Sequence, residues 1–511
     1  MIAKIVMLLV FFAIMIGVGM YARKHAANVD GFVLGGRSVG PWLTAFAYGT
    51  SYFSAVVFVG YAGQFGYKYG LSATWIGIGN ALIGSLLAWV VLGRRTRIMS
   101  KHLKAATMPD YFGKRYDSNA LRIAASAISF IFLIPYTASV YNGLSRLFEM
   151  AFDVPYTVCV VVMAALTCVY VILGGYMATA INDFIQGIVM LAGIVAVIGA
   201  VLNGQGGFMQ AVFKLSEIPS DIAVTQGQQG AFASFFGPDP LNLLGVIILT
   251  SLGTWGLPQM VHKFYAIRDE KAVKTGTIIS TLFAIVISGG CYFLGGFGRL
   301  FDTSAIRSSE GKIIYDAIIP AMLQTLPDIL IGIVIVLVLS ASMSTLSSLV
   351  LTSSSTLTLD FLKGNIIKKM NEKQQLLWMR IFLVFFVVVS VVLALDPPTF
   401  IAQLMGISWG ALAGAFLAPF LYGLYWKGVT KAAVWASFAT GIGITVSNMF
   451  LKYIASPINA GAVAMIAGLV VVPVVSLLTP KMKKDMTEEI FSCYEEKVMV
   501  EQKLVLTEEE E

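Results

Sequence analysis

Hydroxyl side chains interrupt the apolar stretch from Ile329 to Leu351 in the run Ala341-Ser342-Met343-Ser344-Thr345-Leu346-Ser347-Ser348. Ala341, Ser344, Thr345 and Ser348 recur at i, i+3, i+4 and i+7, one face of a helix. In lipid such hydroxyls are tolerated where they face protein, water or an ion, so this face reads as a ligand strip for a small cation. Asp183, in Ala180-Ile181-Asn182-Asp183-Phe184-Ile185-Gln186, is the one acidic residue well placed within an apolar segment. A carboxylate at bilayer centre costs roughly 2.5–3.5 kcal/mol on insertion scales, and a cation is its natural partner. The competing reading makes Asp183 a cap, with Asn182, at the edge of its helix. Hydroxyls, carbonyls and at most one carboxylate form a hard oxygen set. Calcium usually collects about six to eight oxygens, several of them carboxylate, so sodium fits better. A proton carried by Asp183 stays open as the alternative coupling ion.

These residues need a membrane bundle to position them. A chain of 511 residues with 57% hydrophobic and 12% charged side chains and 49 glycines is an all-α polytopic membrane protein. Thirteen apolar runs are long enough to cross a core of about 30 Å. Those that matter most cover residues 41–66, 71–92, 121–148, 154–173, 181–202, 241–260 and 329–351. Alternating sides through thirteen spans puts 27 of the 35 Lys and Arg on one side. That asymmetry places the N-terminus outside and the C-terminus in the cytoplasm of a plasma or inner membrane. The net charge of +7 then reports topology and not nucleic-acid binding. The first run is read as a retained helix, with a cleaved leader as the weaker reading. Cys159, Cys168, Cys291 and Cys493 have neither a disulfide framework nor a metal spacing.

Two spans are interrupted alike. The second holds Gly49-Thr50-Ser51-Tyr52-Phe53-Ser54 and the seventh holds Gly253-Thr254-Trp255-Gly256-Leu257-Pro258. Pro258 removes a donor and clashes with the preceding turn, so the freed carbonyls need other partners. Breaks five spans apart fit a 5+5 inverted repeat whose first helices are discontinuous at the ligand site. The expected organisation is an extra helix and loop over 1–40, a first repeat with its outer loop over 41–240 and a second repeat over 241–427. Two additional helices over 428–480 and a charged cytoplasmic tail over 481–511 complete it. The outer loops 203–240 and 298–328 are long enough for short surface helices.

Together with Asp30-Gly31-Phe32-Val33-Leu34-Gly35-Gly36-Arg37-Ser38, Met108-Pro109-Asp110-Tyr111-Phe112, Gly174-Gly175-Tyr176 and Gln186-Gly187, these fragments resemble the sodium:solute symporters. The resemblance implies a LeuT-like fold and sodium-coupled import of a small organic solute by alternating access. It implies a principal sodium site made by carbonyls of Thr50, Phe53 and Ala341 with the hydroxyls of Ser344 and Thr345. The pattern of a second site in some members falls on Asp183, Ser344, Ser347 and Ser348. Two ions crossing about 100 mV with a tenfold gradient would supply about 7 kcal/mol per turnover.

The solute should sit between the breaks, with Tyr52, Ser54, Tyr136, Asn142, Thr254, Trp255, Leu257 and Pro258 as candidate walls. Tyr136 and Pro258 resemble positions of proline-transporting members. Tyr52 stands where those members carry an acid, and Thr250 and Thr254 where they carry aromatics. Tyr67-Lys68-Tyr69-Gly70-Leu71 and Gly256-Leu257-Pro258 resemble the pantothenate transporters. A helix N-terminus freed by a break favours a carboxylate. A carboxylate-bearing solute such as pantothenate or proline is therefore expected, with a sugar, sialic acid or another monocarboxylate as alternatives. An enzyme is not expected, because His25, His102 and His262 fall in or beside basic loops without ligand spacing. No cofactor beyond sodium is expected, and the sequence carries no pore repeat of the kind a channel needs.

Overall fold

The computed structural model describes residues 2–152, 154–324, 326–363, 365–367 and 369–495, so the expected acidic end Glu508–Glu511 lies outside the described residues. Among them every regular element is helical apart from isolated bridge pairs. In chain order the helices are α1 (Ile2–Ala22), α2 (Pro41–Tyr52), α3 (56–69), α4 (74–102), α5 (Met108–Arg115), α6 (Asn119–Phe152) and α7 (Tyr156–Gly204). They continue as α8 (Pro240–Gly256), α9 (Pro258–Ala266), α10 (Glu270–Gly295), α11 (Asp328–Thr356) and α12 (Glu372–Leu395). The last four are α13 (Ile401–Tyr425), α14 (Lys431–Leu451), α15 (Pro457–Leu478) and α16 (Lys484–Ser492).

Helix starts follow from local chemistry. Proline opens α2, α8, α9 and α15, where its missing N–H is one of the orphan donors anyway. Thr107, Asp239, Asp269, Asn371 and Thr430 accept from the backbone of the first turns of α5, α8, α10, α12 and α14. The loops 203–240 and 298–328 hold short helices, Phe208–Ser216 and Ile318–Gln324.

Ten helices among the described residues are long and apolar enough to cross a membrane, eleven if the pair α8 and α9 counts as one. This is fewer than the thirteen runs read from the sequence. The difference has two sources: the expected spans 41–66 and 71–92 run together in the continuous stretch Val56–His102, and 154–173 is represented by the shorter apolar helix Tyr156–Val169, which joins 181–202 in α7 with a fold at Gly175. Gly175 adopts φ 54° and ψ −147°, open only to glycine, and a Cβ there would lie 2.8 Å from the Phe32 carbonyl oxygen.

Burial sorts the bundle into centre and rim. The apolar window of α13 is 94% buried and that of α11 is 78% buried, against 22% for α1 and 33% for α12 and α14. The polar strip of α11 therefore faces protein throughout. It also runs further than its apolar pattern suggests, because Thr352 to Thr356 are buried and helical and a wider turn carries the chain to Leu362. Asp360 is buried there, where its carboxylate accepts from Thr107 Oγ1.

Candidate functional site

Both expected breaks are present. α2 ends at Tyr52, Phe53 leaves helical geometry (φ −105°, ψ 89°), and the chain resumes helix through Ala55. Ser54 organises the restart: its carbonyl accepts from Val57 N (3.0 Å) and Phe58 N (3.1 Å), and its Oγ accepts from Val56 N (3.2 Å). In the second break, α8 and α9 meet at 46° across Leu257, whose carbonyl accepts from Met260 N and Val261 N. Pro258 at the first position of α9 has no N–H to leave unpaired.

The hydroxyl strip of α11 crosses the first break. Ser344 Oγ lies 3.0 Å from the Thr50 carbonyl oxygen and 3.1 Å from that of Ala341. Thr345 Oγ1 lies 3.0 Å from the Ala341 carbonyl, 3.3 Å from Thr50 O and 3.4 Å from Ser51 O. All five residues are buried. Two hydroxyls and three carbonyls thus converge, an all-oxygen neutral set suited to a monovalent hard cation. Phe53 supplies the turn, its N–H donating to Gly49 O at 3.1 Å. A cavity of about 10 Å³, the space of about one water molecule, sits against Phe53, Ser54 and Ala341.

Asp183 lies two turns into α7 beyond the Gly175 fold and is fully buried, so it does not cap a helix. Its Oδ2 is 3.8 Å from the ammonium of Lys263 on α9. Lys263 Nζ donates to Ser348 Oγ at 2.9 Å and stands 5.3 Å from the centroid of the Tyr176 ring. Ser347 Oγ turns back to the Ser344 carbonyl (2.9 Å), so of the three serines grouped with Asp183 it is Ser348 that meets the ion pair.

Of the solute-wall candidates, Tyr52 and Tyr136 share a third ring, Trp409 of α13, at centroid distances of 6.0 and 5.8 Å. Tyr52 Oη donates to Thr250 O at 2.5 Å. Ser54 and Trp409 neighbour the Tyr136 hydroxyl, but neither meets it in hydrogen-bond geometry. Trp409 Nε1 and both polar atoms of the Gln259 amide are likewise buried without a partner. Thr254 and Trp255 face the other way, donating to Gly84 O (3.1 Å) and Ile83 O (3.0 Å) of α4. Asn142 is removed from this group: its Oδ1 accepts from Tyr156 Oη, in a tie of α6 to α7 and α12. At the basic end the chain is closed below the breaks. Arg268 N donates to Val39 O (2.9 Å), Val39 N to Ala266 O (3.3 Å), and the Arg37 guanidinium to Ala105 O (2.6 Å).

The model of the sodium:solute symporter family matches residues 32–441. The chain belongs to that family. Sodium/proline symporters of Staphylococcus aureus, strains JH9 and JH1 among them, are 31% identical to the symporter over 496 residues, covering 94% of its chain and 92% of theirs. Among solved structures, a Na+-coupled sialic acid symporter in a substrate-bound outward-open state matches 94% of the chain and 98% of its own, with TM-score 0.77 and 16% identity. A nucleobase-cation-symport-1 family transporter matches 90% and 98%, with TM-score 0.53 and 13% identity. The fold is thus LeuT-like, and the symporter is a membrane transporter, not an enzyme, of a family coupled to sodium.

The sequence reading missed Ser51 and Gln259, and also His262, Lys263 and Trp409. It ended the seventh span at Met260 and so sent His262 and Lys263 to a loop, whereas α9 continues to Ala266 with both buried. His262 packs 5.4 Å from Tyr176. The available signal was Pro258, which at a helix N1 position marks the start of a helix that continues beyond it. Trp409 gave no signal, because an aromatic in a helix apolar all round reads as core.

Proposed function

We propose that the symporter imports a small carboxylate-bearing solute together with sodium held at Thr50, Ala341, Ser344 and Thr345, with Phe53 forming the turn beside it. The observation that carries this reading is the convergence of the Ser344 and Thr345 hydroxyls on the Thr50 and Ala341 carbonyls across the break. In this reading residues 41–240 and 241–427 are the two repeats, and the basic end is cytoplasmic. Opening between the breaks exposes the solute site to alternate sides.

The carboxylate follows from unspent donors. Tyr136 Oη, Trp409 Nε1 and Gln259 Nε2 are buried without acceptors, and each such donor costs about 1–3 kcal/mol until an acceptor arrives. A carboxylate is acceptor-only when ionised. It also suits the positive ends of the half-helices that begin at Ala55 and Pro258. The rings of Tyr52, Tyr136 and Trp409 supply an apolar wall for the remainder of the solute. Pantothenate and proline-like amino acids meet this description, and the relatives at 31% identity are sodium/proline symporters. Tyr52 in place of an acid favours a solute without a cationic group, and so pantothenate over proline.

The test is uptake of labelled pantothenate, proline, a sugar and sialic acid into proteoliposomes with sodium or potassium outside. Sodium-dependent uptake of an organic acid that Ser344→Ala abolishes is the expected result. Uptake driven by a proton gradient without sodium overturns the ion assignment, and sodium-driven uptake of the sugar alone overturns the solute class.

A further inference from the structure

A sodium ion at Asp183, Ser344, Ser347 and Ser348 would sit where the structure puts a lysine. Lys263 Nζ is 2.9 Å from Ser348 Oγ and 3.8 Å from Asp183 Oδ2, and faces the Tyr176 ring at 5.3 Å. The side chains of Lys263 and Asp183 are 2% and 0% exposed. An ammonium is thus supplied with a hydroxyl oxygen, a carboxylate and a π face, the partners that a desolvated cation needs. The other two serines point elsewhere, Ser344 Oγ to Thr50 and Ala341 carbonyls and Ser347 Oγ to the Ser344 carbonyl. A free cation entering beside the ammonium would meet a like charge. At about 4 Å and an effective dielectric constant near 20, that repulsion weakens binding about a thousandfold.

We propose that Lys263 is a tethered cation: its ammonium stands in place of a second coupling ion at Asp183 and Ser348, so that one sodium ion accompanies each turnover. The assignment rests on the sodium-symport reading above and deepens it. The two cation positions are joined through Ser51, whose Oγ is 2.8 Å from Ser348 Oγ and whose carbonyl is 3.4 Å from Thr345 Oγ1. The tether also rides on α9, five residues after Pro258, so the fixed charge moves with the half-helix that begins at the second break. For a neutral solute, one ion instead of two reduces the limiting accumulation ratio to its square root. For a monoanion, one ion makes the turnover electroneutral.

The decisive experiment counts sodium on the purified full chain by equilibrium binding of radioactive sodium, with choline as the replacement cation and no solute present. The wild type is expected to bind one ion per chain. Lys263→Met leaves the Asp183 carboxylate free to recruit a second, raising the count to two, whereas Lys263→Arg and the charge-neutral pair Asp183→Asn with Lys263→Met hold it at one. Melting curves establish that each variant is folded. Two ions on the wild type overturn the proposal without any variant, and so does a folded Lys263→Met that still binds one. No sodium on the wild type overturns the symport reading, and the tethered-cation assignment falls with it.

Discussion

The two oxygen clusters proposed as cation positions lie one turn apart on the same helix and are built in opposite ways. At Ser344 and Thr345 the oxygens are neutral, shared between the strip of α11 and the carbonyls that the α2 break releases. At Ser348 the oxygens include a full carboxylate, and the positive charge is covalently part of the chain. Neutral ligands hold an ion loosely enough for it to leave. A buried carboxylate beside its own ammonium has its countercharge already in place. In the proposed reading the contrast separates the ion that is transported from the charge that remains, and both can be attacked by single substitutions.

The largest effect is expected from breaking the fixed pair. Lys263→Met leaves the buried Asp183 carboxylate without its ammonium, a change that removes about 3–5 kcal/mol of stability when one partner of a buried pair is deleted. Adding Asp183→Asn should restore most of it, because replacing both charges is far milder than removing one. Melting temperatures of the single and double variants in sodium-free buffer check this, and equal losses in both would show that the pair is not a unit.

Next comes the exchangeable position. Ser344→Ala deletes one hydroxyl from the cage, and loss of a charge-assisted contact of about 1.5–3 kcal/mol predicts a sodium affinity lower by about 10–100-fold. Stability without sodium should scarcely move. The sodium dependence of uptake reads the first number and a thermal melt the second. A variant that loses stability in choline but keeps its sodium affinity would make Ser344 a packing residue and erase the contrast with Ser348.

The sequence made the exchangeable position legible and hid the fixed one, for a physical reason. Hydroxyls inside an apolar run are conspicuous, and so are a Gly-Thr pair and a proline in mid-span. A basic residue near a span end, by contrast, is ordinarily a topology signal, and Lys263 was sorted with the loop lysines. Only the continuation of α9 to Ala266 returns it to the interior. The same logic misplaced His262, and it cut α11 short of Asp360. Asn142 erred in the other direction. On α6 its polarity suggested a ligand, yet it is engaged by Tyr156 in holding helices together.

A smaller effect separates the solute wall from both cation positions. Trp409→Phe keeps the ring stack with Tyr52 and Tyr136 but removes Nε1–H, which has no partner in the protein. Stability should hold or rise slightly, since an unpaired buried donor is lost. If the solute supplies the acceptor, its apparent KM should rise about tenfold, the worth of one hydrogen bond. An unchanged KM would return Trp409 to the core.

The smallest effect tests what a half-buried carboxylate does without a lysine. Among the described residues Asp316, in the loop before α11, accepts from Ile401 N at 3.3 Å and its other oxygen has no partner. Burial pushes its carboxyl up to about 6; the backbone donor and Arg146 oppose the shift. A carboxyl raised above its unfolded value of 3.8 contributes stability fully below that value, and the contribution is lost as pH rises through about 6. The wild type should therefore gain about 1 kcal/mol on going from pH 7.5 to pH 5. Asp316→Asn should flatten that slope, because the amide no longer titrates. Thermal melts of the wild type and of Asp316→Asn against pH check this: a slope that survives Asp316→Asn undiminished would show that Asp316 is not its source.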